Sequence, residues 1–313
     1  MPNVSFESRV SRLELRPETS NPKPETRIND LRERFRPQRE WAEGRGLLLI
    51  LAHFLTGAGA GAWIFSMLFG FTPGLVAGFF LVVFGALAHF FFLGRPERFW
   101  RMLTGFGSSW ISRGLAGMSL FMAAAFVYLL LWFFAARQTS LEQIFFALSL
   151  LGALWVVVYK GFVWASSKGI PLWNTPLVPA LYISYALRGG AAVLMVLGSL
   201  VTQHAALGPL EPLKLWLAVS TAVLVLIYLE VMRGSGMTAL RSVDLMLFGR
   251  VALPFYLGAV LVGLVIPIAI GGLAYARTVP PELLGLLGLL SLLGDLSIIY
   301  CIAKAGLYRP LPA

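Results

Sequence analysis

Four residues that can donate hydrogen bonds or exchange protons fall at one depth of a largely apolar sequence. His53 lies about seven residues into the first apolar segment, roughly 10 Å deep at 1.5 Å per helical residue. His89 lies near the end of the second such segment, and Tyr159 and Lys160 end the fourth at a similar level. Imidazole and phenol groups in an apolar slot suit a quinone, because they hydrogen-bond its carbonyl oxygens and pass protons as its ring changes redox state. The pattern therefore predicts a quinone site, and a b-type haem between His53 and His89 is the competing interpretation.

Three further ionisable residues lie within apolar segments, where a charge is costly and each such residue warrants a functional hypothesis. Arg188 lies midway along the fifth segment, and Asp295 lies within the eighth. An ion pair between them would reduce the cost of both charges, and a proton path is the alternative hypothesis. Glu230 lies near the end of the sixth segment, within reach of the membrane interface, so we expect it to be structural or paired with a loop cation.

The composition indicates the class of protein. Of the 313 residues, 58% are hydrophobic and only 13% are charged, whereas an average soluble domain has about 25% charged residues. This excludes a disordered chain or an ordinary soluble enzyme and indicates a polytopic membrane protein. The single Cys301 cannot form an internal disulfide or a cysteine-based cluster site, and with only three histidines, His53, His89 and His204, any metal or haem site is severely limited. The net charge of +10 indicates basic cytoplasmic loops rather than a nucleic-acid partner.

Eight apolar segments are long enough to cross a bilayer, which takes about 20 residues per helix. They cover residues 46–70, 74–93, 114–136, 141–165, 175–201, 211–233, 251–276 and 281–303. The expected fold class is an all-α polytopic membrane protein with about eight transmembrane helices, in a domain that spans residues 46–313. Residues 1–45 hold ten Lys and Arg, eight Asp and Glu and five prolines, which predicts a polar cytoplasmic arm that is disordered or binds a partner.

The loop charges predict the orientation. An even number of spans places both termini on one side of the membrane. Outside the arm, eleven Lys and Arg residues fall on that side: Arg95, Arg98, Arg101, Arg113, Lys160, Lys168, Arg233, Arg241, Arg250, Lys304 and Arg309. The other side has three: Arg137, Lys214 and Arg277. Since basic loops stay in the cytoplasm, we expect both termini to be cytoplasmic, in the inner membrane of a bacterium or an archaeon.

Two stretches carry a recognisable family pattern. The first contains FLGRPERFWR over residues 92–101 and SSWISRG over 108–114. The second contains YKG over 159–161 and KGIPLWNTPL over 168–177. Together they resemble the membrane subunits of the polysulfide reductase and dimethyl sulfoxide reductase type, over about residues 46–313. The form of the first stretch is most similar to membrane subunits of phenylacetyl-CoA:acceptor oxidoreductase-like complexes.

The resemblance implies a role and partners. Such subunits have about eight helices, bind no prosthetic group and anchor two soluble subunits. One partner is a ferredoxin-like subunit with four iron–sulfur clusters, and the other is a molybdopterin catalytic subunit with molybdenum or tungsten. The anchor exchanges electrons with membrane quinone, either ubiquinone or menaquinone, near the face where the iron–sulfur subunit docks.

The resemblance also assigns residues. In the family, a histidine in the first span and a tyrosine at the end of the fourth contribute to the quinone site, and these match His53 and Tyr159. With the neighbouring polar residues and the loop at the mouth, the expected quinone-binding set is His53, His89, Arg95, Trp110, Arg113, Tyr159 and Lys160. The expected docking set for the iron–sulfur subunit is Arg98, Arg101, Lys168, Trp173 and Asn174, aided by the arm.

This chain departs from the family pattern at two positions. Dimethyl sulfoxide reductase-type anchors often have His where this chain has Phe92, and they often have Glu where it has Gly114. If those groups serve quinol oxidation in the relatives, they do not do so here. His89, three residues earlier, is a candidate substitute for the missing histidine, although three residues advance a helix by about 300°.

The expected function is therefore a membrane-anchor and quinone-reactive subunit of a molybdopterin and iron–sulfur oxidoreductase. With the basic loops in the cytoplasm, we expect it to reduce quinone during oxidation of a cytoplasmic substrate such as an acyl-CoA or sulfite. A quinol-oxidising reductase anchor is one alternative. A transporter without a redox role is another, and Arg188 and Asp295 would then mark a substrate site in the middle of the membrane.

Overall fold

The described helices of membrane-spanning length coincide with the apolar segments of the sequence. A computed structural model describes residues 35–134, 139–201, 210–276 and 280–309. Residues 1–34 of the predicted arm lie outside this part, as do Arg137 and Arg277. The described helices all belong to one unit, Pro37–Arg309.

Eight helical spans of the described residues are long and apolar enough to cross a membrane. In chain order the helices are α1 (Gly46–Phe69), α2 (Thr72–Phe92), a 3₁₀ helix (Pro96–Gly105), α3 (Trp110–Phe133), α4 (Ser140–Ala165), α5 (Leu177–Leu200), α6 (Leu210–Gly234), α7 (Met237–Leu247), a π-helical segment (Pro254–Val265) that continues as α8 (Ile266–Ala276), and α9 (Pro281–Ala305). The π-helical segment and α8 together make one span, and α7 is too short to make one. The expected all-α polytopic membrane fold is confirmed.

The third span begins earlier than its hydropathy predicts. The apolar run starts at residue 114, but α3 begins at Trp110. Ser109 precedes the helix in an extended conformation, and its hydroxyl accepts a hydrogen bond from the backbone N–H of Ser112 (3.4 Å). Such a cap satisfies one of the free N–H groups of a first turn, so the helix extends beyond the apolar run into the polar loop.

Helices α1 and α5 form the centre of the bundle. In their most apolar stretches 72% and 67% of residues are buried, against 22–39% for α2, α3, α4, α6 and the span of the π-helical segment. Glycines make this close packing possible. A Cβ at Gly61 would lie 2.1 Å from the carbonyl oxygen of Ala186 on α5, and a Cβ at Gly59 would lie 2.7 Å from that of Gly78 on α2. Because lipid provides little hydrophobic force between helices, such close backbone contact is a main source of helix association in a membrane.

Residues 37–45 close one end of the bundle, the end where α1 begins and α9 finishes; we call it the basic end. The N–H of Gln38 donates to the carbonyl of Gly306 (2.9 Å), directly after α9. Lys304 donates to Glu43 (2.5 Å), and Arg45 donates to the carbonyls of Phe91 and Leu93 at the end of α2. The last part of the predicted arm therefore packs onto the helices and fixes the entry into α1.

We expect this closure to loosen in acid. The hydrogen bond from Lys304 lowers the pKa of Glu43 from the ordinary 4.5 and outweighs the opposing effect of burial. A lowered pKa stabilises the fold above 4.5, and the contribution is lost as the pH falls through the pKa of the folded state. The protection factor of the Gln38 amide, which is its exchange rate relative to the intrinsic rate at each pH, should fall over that range in the wild-type chain. In Glu43→Gln, the Gln38 amide should be less protected already at neutral pH, and its protection should no longer depend on pH over this range. Glu97→Gln changes an exposed carboxylate, so the protection of its Gln38 amide should match the wild type.

Candidate functional site

A cavity of about 290 Å³ lies near the basic end, between α1, α2, α3 and α4. Its wall is mostly apolar and includes the methionines Met102, Met118 and Met122, whose flexible side chains adapt to varied shapes. Phe90, Phe99 and Ile111 also line it, and each is more than one-third exposed on the outer surface of the bundle. The cavity therefore combines an adaptable apolar interior with walls that reach the lipid-facing surface.

The two histidines meet in this cavity. Their ring centroids are 5.1 Å apart, and the rings are nearly perpendicular, at 78°. Nδ1 of His53 bonds the carbonyl of Leu49 (2.9 Å), and Nδ1 of His89 bonds the carbonyl of Gly85 (3.0 Å), each one turn earlier in its own helix. A carbonyl only accepts, so in the neutral rings Nδ1 carries the proton and Nε2 keeps a free lone pair. Both Nε2 atoms are thus available to a ligand.

This arrangement does not favour a haem between the two histidines. Axial imidazoles must stand on opposite faces of a porphyrin, with the iron between them. The rings of His53 and His89 are instead in edge-to-face contact with each other. His53 also lies edge-on to Trp164 (5.7 Å) and Tyr182 (6.1 Å), so packing holds its ring on the far side as well.

Tyr159 supplies the third polar group of the cavity. It extends from α4, lines the wall and is 5% exposed. Its hydroxyl makes no hydrogen bond within the described part of the chain, although a buried phenol ordinarily has a partner. The ring lies directly against Gly114 of α3: a Cβ there would be 2.1 Å from the ring carbon Cε2. Gly114 therefore makes room for the ring of Tyr159.

We expect Gly114→Ala to displace Tyr159 and impair the site without unfolding the chain. The added methyl group needs the ring to move, which misplaces the Tyr159 hydroxyl, so we expect to lose one neutral hydrogen bond of about 1 kcal/mol, roughly fivefold in turnover. Steady-state quinone kinetics of the purified complex would measure the loss.

Gly117→Ala is the matched control for this substitution. Its Cβ would meet the ring of Trp155 at 1.9 Å, so it perturbs the same pair of helices one turn further on. Trp155 does not line the cavity. An equal loss of turnover in both variants would attribute the effect to helix packing rather than to Tyr159.

Lys160 does not line the cavity, although it follows Tyr159 directly. Its side chain is 1% exposed, and its ammonium donates to the backbone carbonyl of His53 (3.2 Å). Adjacent residues on a helix point about 100° apart, which separates Lys160 from the cavity face. Lys160 therefore links α4 to α1 by a hydrogen bond at the level of His53, on a side of α4 that does not face the cavity.

Arg95, Trp110 and Arg113 also lie outside the cavity wall. The guanidinium of Arg113 lies 4.9 Å from the ring centroid of Trp110 and donates to the carbonyls of Phe106 and Gly107. These contacts hold the loop before α3, whereas Arg95 is exposed. The three residues are close in sequence to Leu93 and Ile111, which line the cavity, and ligand contact by them stays a prediction.

The expected docking set divides into exposed and buried members. Arg98, Arg101, Lys168 and Asn174 are exposed at the basic end. Trp173 is 1% exposed, and its indole N–H donates to the carbonyl of Ile302 in α9 (2.8 Å). Its side chain packs inside the bundle, so only the other four residues of the set can contact a partner directly.

Trp41 is a cavity residue that the sequence did not identify. It lines the wall from the segment before α1. Its ring stacks on Trp173 (5.5 Å between centroids) and meets Trp164 edge-on (5.4 Å). The nearest signal in the sequence is its position just before the first span, which is equally typical of an interfacial tryptophan.

Arg188 and Asp295 form the expected buried pair. Both side chains are 1% exposed, and Arg188 Nε donates to Asp295 Oδ1 at 2.8 Å. Arg188 Nη1 also donates to the carbonyl of Gly263 (3.2 Å). The cavity that Arg188 lines holds only about 10 Å³, about enough for one water molecule, which does not suit a transported substrate. Glu230 differs from this pair, because it is 79% exposed and lies 3.8 Å from Arg233.

Comparison with known proteins adds to this geometry. The family described as polysulphide reductase, NrfD, matches residues 45–310. A sulfite dehydrogenase subunit of Allochromatium vinosum is 28% identical over 130 residues, which cover 38% of this chain and 40% of that protein. The chain thus aligns with about two fifths of that relative.

Proposed function

The chain belongs to the NrfD family of polysulphide reductases, and we propose that it is the membrane-anchor and quinone-reactive subunit of a molybdopterin and iron–sulfur oxidoreductase. The family and the similarity to a sulfite dehydrogenase subunit support the broader role, a membrane anchor of a redox complex. The finer role is that electrons pass between a docked iron–sulfur subunit and membrane quinone. The preferred direction is quinone reduction, during oxidation of a substrate such as sulfite or an acyl-CoA.

One observation carries the quinone proposal: two imidazoles and a phenol face a single apolar cavity that reaches the lipid surface. Quinone reduction takes two electrons and two protons, so its carbonyl oxygens need both donors and a proton supply. The Tyr159 hydroxyl is free to donate to one oxygen. An imidazole of His53 or His89 that first takes up a proton from the cytoplasm at Nε2 would pass it to the quinone oxygen as the iron–sulfur subunit supplies the electrons. The methionine and phenylalanine walls suit an isoprenoid tail.

The basic end supplies the proposed docking surface. Arg98, Arg101 and Lys168 are exposed there, and the cavity lies beneath them. Electrons from the terminal cluster of the iron–sulfur subunit would then have a short path to the quinone. The excess of basic loop residues at this end supports a cytoplasmic position for it and for both soluble partners, at the inner membrane of a bacterium or archaeon.

Purification through a tag on this chain, in mild detergent, tests the proposal. We expect soluble subunits to co-purify, with molybdenum or tungsten and a broad iron–sulfur absorbance, and with no haem stoichiometric with this chain. Metal analysis and an absorption spectrum measure these directly. A chain that purifies alone and free of metal would contradict the anchor role, and a Soret band that tracks this chain would restore the haem interpretation.

A further inference from the structure

A second cavity, of about 190 Å³, lies at the opposite end of the bundle from the quinone cavity. Its walls come from the end of α5, the start of α6, one face of α8 and the start of α9. Most of the lining is apolar, with Leu215, Leu284 and Leu287 among its members. Two charged residues, Glu211 and Lys214, also line it.

Lys214 is buried without a partner. It is 5% exposed, and its ammonium makes no hydrogen bond within the described part of the chain. It lies four residues into α6, only about 6 Å from the helix start, a position from which lysine side chains ordinarily extend to the interface. Here the ammonium faces the cavity instead, and a buried cation without a counter-charge is costly.

The nearby buried carboxylate does not pair with Lys214. Oδ1 of Asp295 accepts from the guanidinium of Arg188, and Oδ2 has no hydrogen-bond partner within the described part of the chain. The Lys214 ammonium likewise bonds neither Asp295 nor Glu211. Glu211 presents its carboxylate to the same cavity and is only partly buried. The cavity thus offers an ammonium and a carboxylate to one occupant, with the ammonium deeper inside.

The surroundings place the cavity at the level of lipid headgroups. Trp216 lies two residues after Lys214 and is 68% exposed, as expected of an aromatic anchor at the membrane interface. Leu273 on α8 is 63% exposed on the same side of the bundle. The cavity therefore lies between two helices whose outer faces are apolar and contact lipid.

We propose that this cavity binds the headgroup of a membrane phospholipid. Lys214 donates to the phosphate oxygens, and Glu211 accepts from the amine of an ethanolamine headgroup. The apolar leucine wall contacts the glycerol and the first acyl carbons. Lipid binding at this end is independent of the redox role proposed above, since neither residue belongs to the quinone cavity.

Native mass spectrometry of the delipidated full-length chain tests the proposal. The probes are phosphatidylethanolamine, phosphatidylglycerol and inorganic phosphate. We expect the wild type to prefer phosphatidylethanolamine. Lys214→Met should lower the affinity for both lipids by roughly tenfold to a hundredfold, which is the effect of losing a charged hydrogen bond. Lys214→Arg should retain binding of both lipids. Glu211→Gln should bind the two lipids equally well, because the contact with the lipid phosphate remains while the contact with the amine is lost.

Arg241→Met is the matched control, because Arg241 is an exposed cation on α7 that lines neither cavity. It should bind lipid like the wild type. Equal lipid affinity in Lys214→Met and the wild type would overturn the proposal. Inorganic phosphate that binds as tightly as the lipids would overturn it too, by showing a site for a free anion. Thermal unfolding of each variant confirms that the fold is retained, and Lys214→Arg preserves the charge should the methionine variant prove unstable.

Discussion

Replacing His53 with alanine should lower quinone turnover by roughly 100-fold or more while the complex still assembles. General acid–base catalysis by a positioned side chain contributes about 100-fold to 10,000-fold in rate, and His53 presents a free Nε2 to the cavity. The measurement uses the purified complex with reduced viologen as electron donor and a short-chain quinone as acceptor. Viologen reduces the iron–sulfur clusters directly, so the physiological substrate is not needed.

Two comparisons distinguish a catalytic role of His53 from a role in packing. Reduction of the iron–sulfur clusters by viologen should be unchanged in His53→Ala, because that step precedes the quinone. His53→Gln keeps a polar group of similar reach but cannot exchange protons as imidazole does, so it should bind quinone better than the alanine variant and turn over little faster. A variant that loses its soluble subunits would show that His53 is structural.

The edge-to-face contact of the two histidines predicts that their effects are not additive. Residues in direct contact share an interaction energy of about 0.5–3 kcal/mol. His53→Ala combined with His89→Ala should therefore lower turnover by less than the product of the two single effects. Tyr159→Phe removes one neutral hydrogen bond, worth about 1 kcal/mol, so it should cost only about fivefold. A larger loss in Tyr159→Phe than in His53→Ala would assign the proton transfer to the phenol.

The depth of the candidate site can be predicted from the sequence, because helical rise converts a residue count into a distance. The sequence predicts one level for His53 and His89, and their rings are in contact. The side of a helix is harder to assign from depth alone. Lys160 lies at the same level as Tyr159 but faces α1, where it bonds the carbonyl of His53. The 100° turn between neighbours is the sequence signal that separates the two residues.

Contacts between distant segments cannot be predicted in the same way. Trp41 precedes the first span and carries no periodic signal, yet it lines the cavity because residues 37–45 fold back onto α9. In the sequence, Gly114 is noticed only through the resemblance, as a position where a glutamate is expected. Its actual contribution, space for the ring of Tyr159, depends on how α3 packs against α4. Hydropathy and spacing describe single helices, whereas these two effects arise between elements.

An ion pair of Arg188 with Asp295 is expected from the sequence, because the cost of a charge in the membrane depends on residue type rather than on geometry. Both side chains are 1% exposed, so each charge depends on the other. Glu230, by contrast, is 79% exposed and reaches solvent or headgroups without a buried partner. Burial therefore separates the three intramembrane candidates into one internal pair and one surface carboxylate.

Breaking the buried pair from one side should produce the largest stability loss in the chain. Removing one partner of a buried ion pair typically costs about 3–5 kcal/mol. The two single variants should differ in how much stability they lose. Arg188→Met leaves a carboxyl group that can take up a proton, whereas Asp295→Leu leaves a guanidinium that stays charged. We expect Asp295→Leu to be the more damaging variant in thermal unfolding of the purified chain. Glu230→Gln, which removes an exposed partner, should change stability by less than about 1 kcal/mol.

The double variant Arg188→Met with Asp295→Leu decides whether the pair does more than stabilise. Replacing both charges of a buried pair by apolar groups of similar size is often neutral or stabilising, so the double variant should recover the stability that either single variant loses. If the pair is only structural, quinone turnover and its proton uptake should recover with it. A double variant that is stable and assembled but impaired in proton uptake would instead place Arg188 and Asp295 on a proton path. In that case the complex would require polar side chains, and not merely good packing, at the centre of the membrane.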